Sequence, residues 1–184
     1  MSAVNYIATV DYSREEAIES GRLIDISNTK EQDECGISFP IHISANVWDL
    51  YVKWSSEDTA KQTYQDETGR LWDLVNMLRF AMMSAGDSRE LIYSLYVIKR
   101  DGFSKRSVEI KVKATVGQGD EDEPVITICM PDEVPHEIVY GKADPEENHS
   151  SSADENEEGQ EEDNVISLAS FINDFGDGLL DAVQ

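Results

Sequence analysis

Apolar residues recur at helical spacing in the first half of the chain. One row has its members three or four residues apart: Leu71, Leu74, Val75, Leu78 and Met82. This row predicts a helix over residues 58–85, although Gly69 within it weakens the helix and marks a place where it can divide into two. Four further apolar residues lie outside the row: Trp72, Met77, Phe80 and Met83. We therefore expect a helix that is apolar around much of its circumference, and either central or partly covered by another chain.

Shorter elements are predicted before this helix. Ser13 is typical of a helix N-cap and Gly21 of a helix end, and the apolar residues 23–26 then favour a short strand. Residues 39–43 alternate apolar and polar side chains, which indicates a second strand. Ser44 or Asn46 can cap the next helix, whose apolar residues are expected in the core: Val47, Leu50, Tyr51 and Trp54.

The second half of the chain changes to the two-residue period of β-strands. Residues 91–99, 108–115 and 124–130 are rich in β-branched, aromatic and aliphatic side chains, which predicts three strands. Asp101 and Gly102 are typical of a hairpin turn between the first two. The predicted fold class is α+β, with helices packed on one face of a three-stranded antiparallel meander.

Several segments together resemble an uncharacterised family of small proteins, a domain of unknown function whose members occur on plasmids, integrative elements and phage genomes. The segments are YSREEAIESGRLIDIS at 12–27, FP at 39–40, VW at 47–48, EDTAKQTYQDETGRLWDLVNMLR at 57–79, KRDG at 99–102 and PVITI at 124–128. The resemblance covers residues 10–133, and its most specific part is 62–72. It implies a cytosolic protein of a mobile element and no particular chemistry.

Charge is divided unevenly along the chain. Its 184 residues include 38 Asp plus Glu against 15 Lys plus Arg, a net charge of −23. Residues 1–116 have a net charge of −4 and residues 117–184 a net charge of −19. Residues 144–163 carry ten carboxylates, no basic residue and no large apolar side chain. We therefore expect a globular domain over residues 1–140 and an acidic disordered linker over residues 141–163.

Residues 164–184 predict an amphipathic helix after the linker. Its apolar residues recur at three or four positions: Val165, Leu168, Ile172, Phe175 and Leu179. Asp174, Asp177 and Asp181 fall on the opposite face, and two glycines make the isolated helix marginal. We expect these apolar residues to bind a partner protein or to pack on the chain's own domain, while the acidic face makes an anionic membrane a poor target.

Six cations lie in and beside the predicted hairpin at 99–113. This set, the basic cluster, comprises Lys99, Arg100, Lys105, Arg106, Lys111 and Lys113. Tyr93, Tyr96 and Phe103 are near enough in sequence to add stacking, so the hairpin is a candidate nucleic-acid-binding site. One alternative is a lysine-rich sheet edge that prevents aggregation. Another is an acidic tail that folds back and competes for the hairpin, which requires direct contact because salt screens charge beyond about 8 Å.

Gln62, Asp66, Arg70 and Asp73 align on the polar face of the predicted long helix. Two carboxylates beside an arginine can hold a divalent cation or act as an acid–base pair. The same spacing also predicts ion pairs of Arg70 with both carboxylates. We favour the structural interpretation, because no histidine, cysteine or glycine-rich loop adjoins the row.

Composition argues against several other classes of site. Cys35 and Cys129 are too few and too far apart for a zinc knuckle or a disulfide framework. Cys35 and His42, a thiol and a base seven residues apart, lack a third orienting group, so we expect no catalytic pair there. No apolar run approaches the roughly 20 residues of a membrane span, and no secretory signal is expected. We predict no metal, no cofactor and a cytoplasmic location.

These features favour a non-enzymatic, acidic binding protein of a mobile element. Its expected partner is a host or mobile-element protein with a basic, nucleic-acid-binding site, such as a nuclease or defence factor, inhibited by DNA mimicry. The alternative is a nucleic-acid-associated regulator that uses the basic hairpin and is autoinhibited by the acidic tail, since the charge of the full chain disfavours direct nucleic-acid binding. A homodimer through the long or the terminal helix is a further hypothesis. No combination of nucleophile, base and stabiliser supports an enzyme.

Overall fold

The computed structural model describes residues 13–86 and 88–140. There, two strands alternate with short helices, a run of helices follows, and three successive strands and a last helix complete the order around one sheet. The strands are β1 (Leu23–Asp25), β2 (Ile41–Ser44), β3 (Glu90–Val97), β4 (Val108–Gln118) and β5 (Pro124–Cys129). The helices are α1 (Arg14–Glu19), α2 (Lys30–Cys35), α3 (Ala45–Val47), α4 (Ser56–Lys61), α5 (Glu67–Met82) and α6 (Pro135–Tyr140), with a π-helix at Trp48–Val52 between α3 and α4.

Within the described ranges the sheet has five strands in the order β1-β2-β5-β4-β3. β3, β4 and β5 are successive antiparallel neighbours, β2 runs parallel to β5, and β1 pairs antiparallel with β2. The predicted α+β class is confirmed, but the prediction of a three-stranded sheet is wrong. Two N-terminal strands extend the sheet beyond β5, a long-range pairing that the local two-residue pattern does not specify.

The two faces of the sheet are covered by different helices. On one side, called the apolar face, residues of α2, the π-helix and α5 pack against alternate strand residues into the main core. On the other side, called the mixed face, Ala17 of α1 and Val139 of α6 pack on Leu23 of β1. The prediction that helices cover only one face is therefore wrong. The sequence pattern missed the helices on the second face because α6 and the buried end of α1 lie outside the strongly periodic segments.

The predicted helix over residues 58–85 is divided into α4 and α5. α4 ends at Lys61, and the side chain of Asp66 then caps α5 by accepting a hydrogen bond of 2.7 Å from the Gly69 N–H. The predicted N-cap Ser13 is confirmed, with a reciprocal capping box to Glu16. The helix predicted after Ser44 is short and continues as the π-helix, in which Leu50 is 50% exposed rather than in the core.

The predicted linker at 141–163 and helix at 164–184 lie outside the described residues. No helix in the described ranges combines the length and apolar character needed to cross a membrane.

Candidate functional site

The structure separates the six residues of the basic cluster. Arg100 is committed to the protein, because its Nε donates to Asp58 Oδ2 at 3.0 Å and its Nη1 donates to the Asp49 carbonyl at 3.0 Å. Lys113 is only 8% exposed, and its Nζ donates to the Glu133 carbonyl at 2.6 Å. Arg100 and Lys113 are thus engaged within the protein, and nucleic-acid binding by the basic cluster stays a prediction. Four remain exposed: Lys99, Lys105, Arg106 and Lys111.

The connection between β3 and β4 is wider than the predicted two-residue turn, since it runs from residue 98 to residue 107. Asp101 orders it internally by accepting hydrogen bonds from the N–H groups of Phe103 and Ser104 at 3.1 and 2.7 Å. Gln62 anchors it to the body, with Nε2 donating to the Lys99 carbonyl at 2.5 Å and Oε1 accepting from the Gly102 N–H at 3.2 Å. The exposed cations of the connection therefore stand on an ordered loop.

The four residues predicted to align on one polar face of the long helix do not do so in the structure. Arg70 is 4% exposed, and its guanidinium donates to the carbonyls of Val52 at 3.1 Å, Ile98 at 3.0 Å and Leu50 at 3.5 Å. It also lies 4.8 Å from the centre of the Trp54 ring. The predicted ion pairs with Asp66 and Asp73 are wrong, because burial directs the charge to carbonyls. That burial, with Arg100 nearby, lowers the pKa of Arg70 to about 10.

Gln62 and Arg70 therefore have structural roles that the sequence pattern did not reveal. Gln62 ties the break between α4 and α5 to the β3–β4 connection, and Arg70 ties α5 to the π-helix and to the end of β3. A buried side chain of either type carries several donors that require acceptors. The only indication of these roles in the sequence is that long polar side chains lie beside apolar helical positions. That indication is weak.

α5 leaves large apolar side chains exposed on its outward side. This α5 outer face comprises Trp72 (37% exposed), Met77 (36%), Phe80 (51%) and Met83 (60%) at its C-cap. The opposite side of α5 is in the core, as predicted for Leu74, Val75 and Leu78. The helix is therefore not central in the described structure, and coverage of its outer side by another chain stays a prediction.

A pocket with a volume of about 330 Å³ lies at the N-terminal end of the α5 outer face. Its lining residues are Tyr64, Gln65, Asp66, Gly69, Arg70, Trp72 and Asp73. Desolvation raises the pKa of the Asp73 carboxyl, Arg70 opposes this shift, and Asp66 adds to it. Two aromatic rings and two carboxylates thus border an opening next to the exposed apolar residues.

The mixed face buries a polar centre of a different kind. Arg14 is 6% exposed and donates from Nε to the Gln118 carbonyl at 2.7 Å and from Nη1 to Thr127 Oγ1 at 3.1 Å. The same Nη1 lies 3.5 Å from Nδ1 of His42, whose Nε2 lies 3.7 Å from Asp25 Oδ1. The centre ties α1 to three strands, which is a structural role.

Cys35 and His42 do not form a pair. Cys35 is buried in the main core with Ile41 and Ile43, whereas His42 alternates with those residues and points to the mixed face. Burial raises the pKa of the Cys35 thiol, which disfavours the reactive thiolate. Over residues 13–86 and 88–140, no group of three His, Cys, Asp or Glu side chains is placed to hold a metal ion.

The predicted partner-binding residues of the terminal helix all lie outside the described residues: Val165, Leu168, Ile172, Phe175 and Leu179.

No curated protein and no solved structure matches the chain. A family model does match, over residues 2–134, which agrees with the resemblance found at 10–133. The chain therefore belongs to the family of unknown function DUF6573.

Proposed function

We propose that this chain is a non-enzymatic binding protein whose α5 outer face binds a partner protein with a basic surface. The observation that carries the proposal is the exposure of Trp72, Met77, Phe80 and Met83 along one helix, beside carboxylates. Tryptophan and other aromatic residues dominate the binding energy of protein interfaces, and methionine adapts to irregular partner surfaces.

The charge around this face favours a cationic partner. Asp66 and Asp73 border the pocket beside Trp72, and Tyr64, which is 68% exposed, forms part of its lining. A lysine or arginine side chain entering there would meet carboxylates and aromatic rings, both of which attract cations, and the Arg70 guanidinium that also lines the pocket is held by backbone carbonyls. The net charge of −23 on the whole chain would add long-range attraction at low salt.

The resemblance to mobile-element proteins suggests the setting of this binding. The partner would be a host or mobile-element protein whose basic site binds nucleic acid, and occupation of that site by an acidic protein would inhibit it. Spaced carboxylates can imitate a phosphate array, so DNA mimicry is part of the same proposal. Exposed apolar anchors next to the carboxylates would then distinguish this partner from other basic proteins.

The test compares two double variants of the full-length chain. Trp72→Ala with Phe80→Ala removes the aromatic anchors, whereas Leu50→Ala with Val134→Ala removes two apolar residues of similar exposure, 50% and 49%, elsewhere. We expect the first variant to weaken binding of a partner captured from nuclease-treated host extract by at least about tenfold, since an anchor contributes about 2 kcal/mol. The control should retain the wild-type affinity, and both affinities should fall with added salt.

Two outcomes would contradict the proposal. Equal weakening by the two variants would mean that the α5 outer face has no special role. Capture of a partner without a basic surface would contradict the proposed attraction between the carboxylates and a cationic partner. Capture that disappears after nuclease treatment would instead favour the second candidate, a nucleic-acid-associated regulator. The exposed residues of the β3–β4 connection support that candidate, because Phe103 is 73% exposed beside Lys105 and Arg106.

A further inference from the structure

The outer part of the mixed face is uncovered among the described residues. Ile92 is 56% exposed and Tyr96 is 68% exposed on β3. In the sheet register Ile92 lies opposite Lys113, and Ser94 lies opposite Lys111, so these four side chains project to the same side. The strip formed by Ile92, Ser94, Tyr96 and Lys111 is called the outer strip. Its length is about 13 Å, because four residue steps along a strand separate Ile92 from Tyr96.

The helices of the mixed face stop beside this strip. α6 reaches β4 near Thr115, since Pro135 and Val139 line one pocket together with Thr115. Thr115 pairs with Glu90 at the start of β3, two residues before Ile92. The chain then leaves the described structure after Tyr140, the last residue of α6. Its continuation therefore starts on the side of the sheet where the outer strip is exposed.

We infer that the C-terminal segment of this chain, residues 165–179, docks on the outer strip and brings its acidic connecting segment over the exposed cations of the β3–β4 connection. Twenty-four residues lie between Tyr140 and Val165. A random coil of that length has a root-mean-square span of about 27 Å, about twice the length of the outer strip. Such tethering raises the effective concentration of the segment to the millimolar range.

Charge favours the end of the outer strip that leads into the β3–β4 connection. The connecting segment carries ten carboxylates between residues 144 and 163 and no basic residue. Lys111 on the outer strip is balanced by the exposed Glu109 opposite Tyr96, whereas the connection that follows β3 exposes three cations, Lys99, Lys105 and Arg106. The α5 outer face lies on the opposite side of the sheet and its charges are mixed, since Asp66 and Asp73 border the pocket while Arg79 lies 5.9 Å from the centre of the Phe80 ring. The connection therefore offers the acidic segment a cluster of exposed cations next to the outer strip, within the range of a Debye length.

The chemistry of the segment matches the strip. Its apolar residues are Val165, Leu168, Ile172, Phe175 and Leu179. Burial of Ile92 and Tyr96 against them would remove apolar surface from water on both sides. The docked state would cover the candidate nucleic-acid-binding loop and leave the α5 outer face open. This inference does not depend on the function proposed for α5.

Solution NMR of the full-length chain tests the inference. The variant Ile172→Ser with Phe175→Ser removes two apolar contacts, and Ser167→Ala with Ser170→Ala is the control in the same segment. We expect the first variant, and not the control, to shift the amide signals of residues 92–97 and 110–113 and to speed hydrogen exchange of β3 by about tenfold. The reciprocal variant, Ile92→Thr with Lys111→Ser, should shift the signals of residues 165–179.

Each other result overturns the inference. Shifts confined to residues 72–83 would place the segment on α5, and the absence of shifts in both directions would mean that the segment does not dock. Shifts that depend on protein concentration would mean that a second copy covers the strip. Changes at residues 1–12 in the reciprocal variant, without changes at 165–179, would identify the N-terminal residues as the occupant. Because α5 is unchanged in these variants, failure here leaves the proposed partner binding testable.

Discussion

The two faces of the sheet bury different chemistry. On the apolar face, Ile43, Ile128 and Leu78 are fully buried and interact through dispersion and the removal of water. On the mixed face, Arg14 and His42 are 6% exposed and interact through directed polar contacts. No buried side-chain polar atom in the described residues lacks a hydrogen-bond partner. The stability of the apolar face therefore depends on the volume that its side chains fill. The stability of the mixed face depends on the identity and protonation of particular groups.

The largest expected effect lies on the apolar face. Leu78→Ala should lower the free energy of unfolding by about 2–5 kcal/mol, because it removes a fully buried side chain and leaves a cavity. The neighbouring Met77 provides a matched control, since it is 36% exposed on the opposite side of α5. Met77→Ala should cost less than about 1 kcal/mol, the usual range for surface changes. Urea unfolding followed by circular dichroism measures both, and equal losses would contradict the assignment of the two sides of α5.

Substitution of Arg14 tests the mixed face and should have a smaller effect. Arg14→Met removes the donors to the Gln118 carbonyl and Thr127 Oγ1, and should cost about 1–3 kcal/mol of unfolding free energy. Lys30→Met, at a side chain that is 81% exposed, controls for the loss of one positive charge. Its unfolding free energy should be near that of the wild type.

Gly117 provides a second measurement of the same contact. A Cβ at this position would lie 2.9 Å from Arg14 Nη2, so Gly117→Ala should displace the guanidinium. In the Arg14→Met background the same change should cost less, which gives a coupling free energy of about 0.5–3 kcal/mol in a double-mutant cycle. Additive effects would show that Arg14 does not hold the position assigned to it.

Local patterns predict the positions of the five strands but not how the strands pair. The pattern predicts strands at 23–26, 39–43, 91–99, 108–115 and 124–130, and the structure has β1 to β5 there, because alternation is strong where one face is buried. The parallel pairing of β2 with β5 joins residues more than 80 positions apart, and no local signal specifies it. α2 and α6 have six residues each, too few for a helical period to be distinguished from a loop.

The candidate sites show the same limit. The exposed apolar side of α5 was predictable, because Trp72 and Phe80 fall outside the buried row at helical spacing. The difference in burial between Lys111 and Lys113 was not predictable. Both side chains project from the same face of β4, and only the fold of residues 131–134 buries Lys113. Arg70 was expected on a wet helix face, yet the π-helix and the end of β3 provide it with carbonyls. Burial of polar groups depends on tertiary neighbours, which periodicity does not describe.

The smallest expected effect is a pH dependence that only the mixed face should show. Burial lowers the pKa of His42, Asp25 opposes the shift, Arg14 adds to it, and Asp120 and Glu123 act in the same direction as Asp25. As the pH falls below about 6.5, the unfolded chain therefore takes up a proton before the folded chain does. The stability contributed by neutral His42 is fully present above that pH and is lost as the pH falls towards the folded pKa. His42→Gln should remove this part of the pH dependence in urea unfolding between about pH 7 and about pH 5.

Asp25 offers a way to change the size of that loss without removing the histidine. A guanidinium only donates hydrogen bonds, so Nδ1 of His42 faces Arg14 as an acceptor and Nε2 carries the proton on the side of Asp25. Asp25→Asn removes the carboxylate that opposes the shift, which should lower the folded pKa further and steepen the loss of stability at low pH. In the double variant with His42→Gln this extra slope should vanish. An unchanged slope in His42→Gln would mean that other groups control the acid sensitivity, and the contrast between the two faces would then rest on geometry alone.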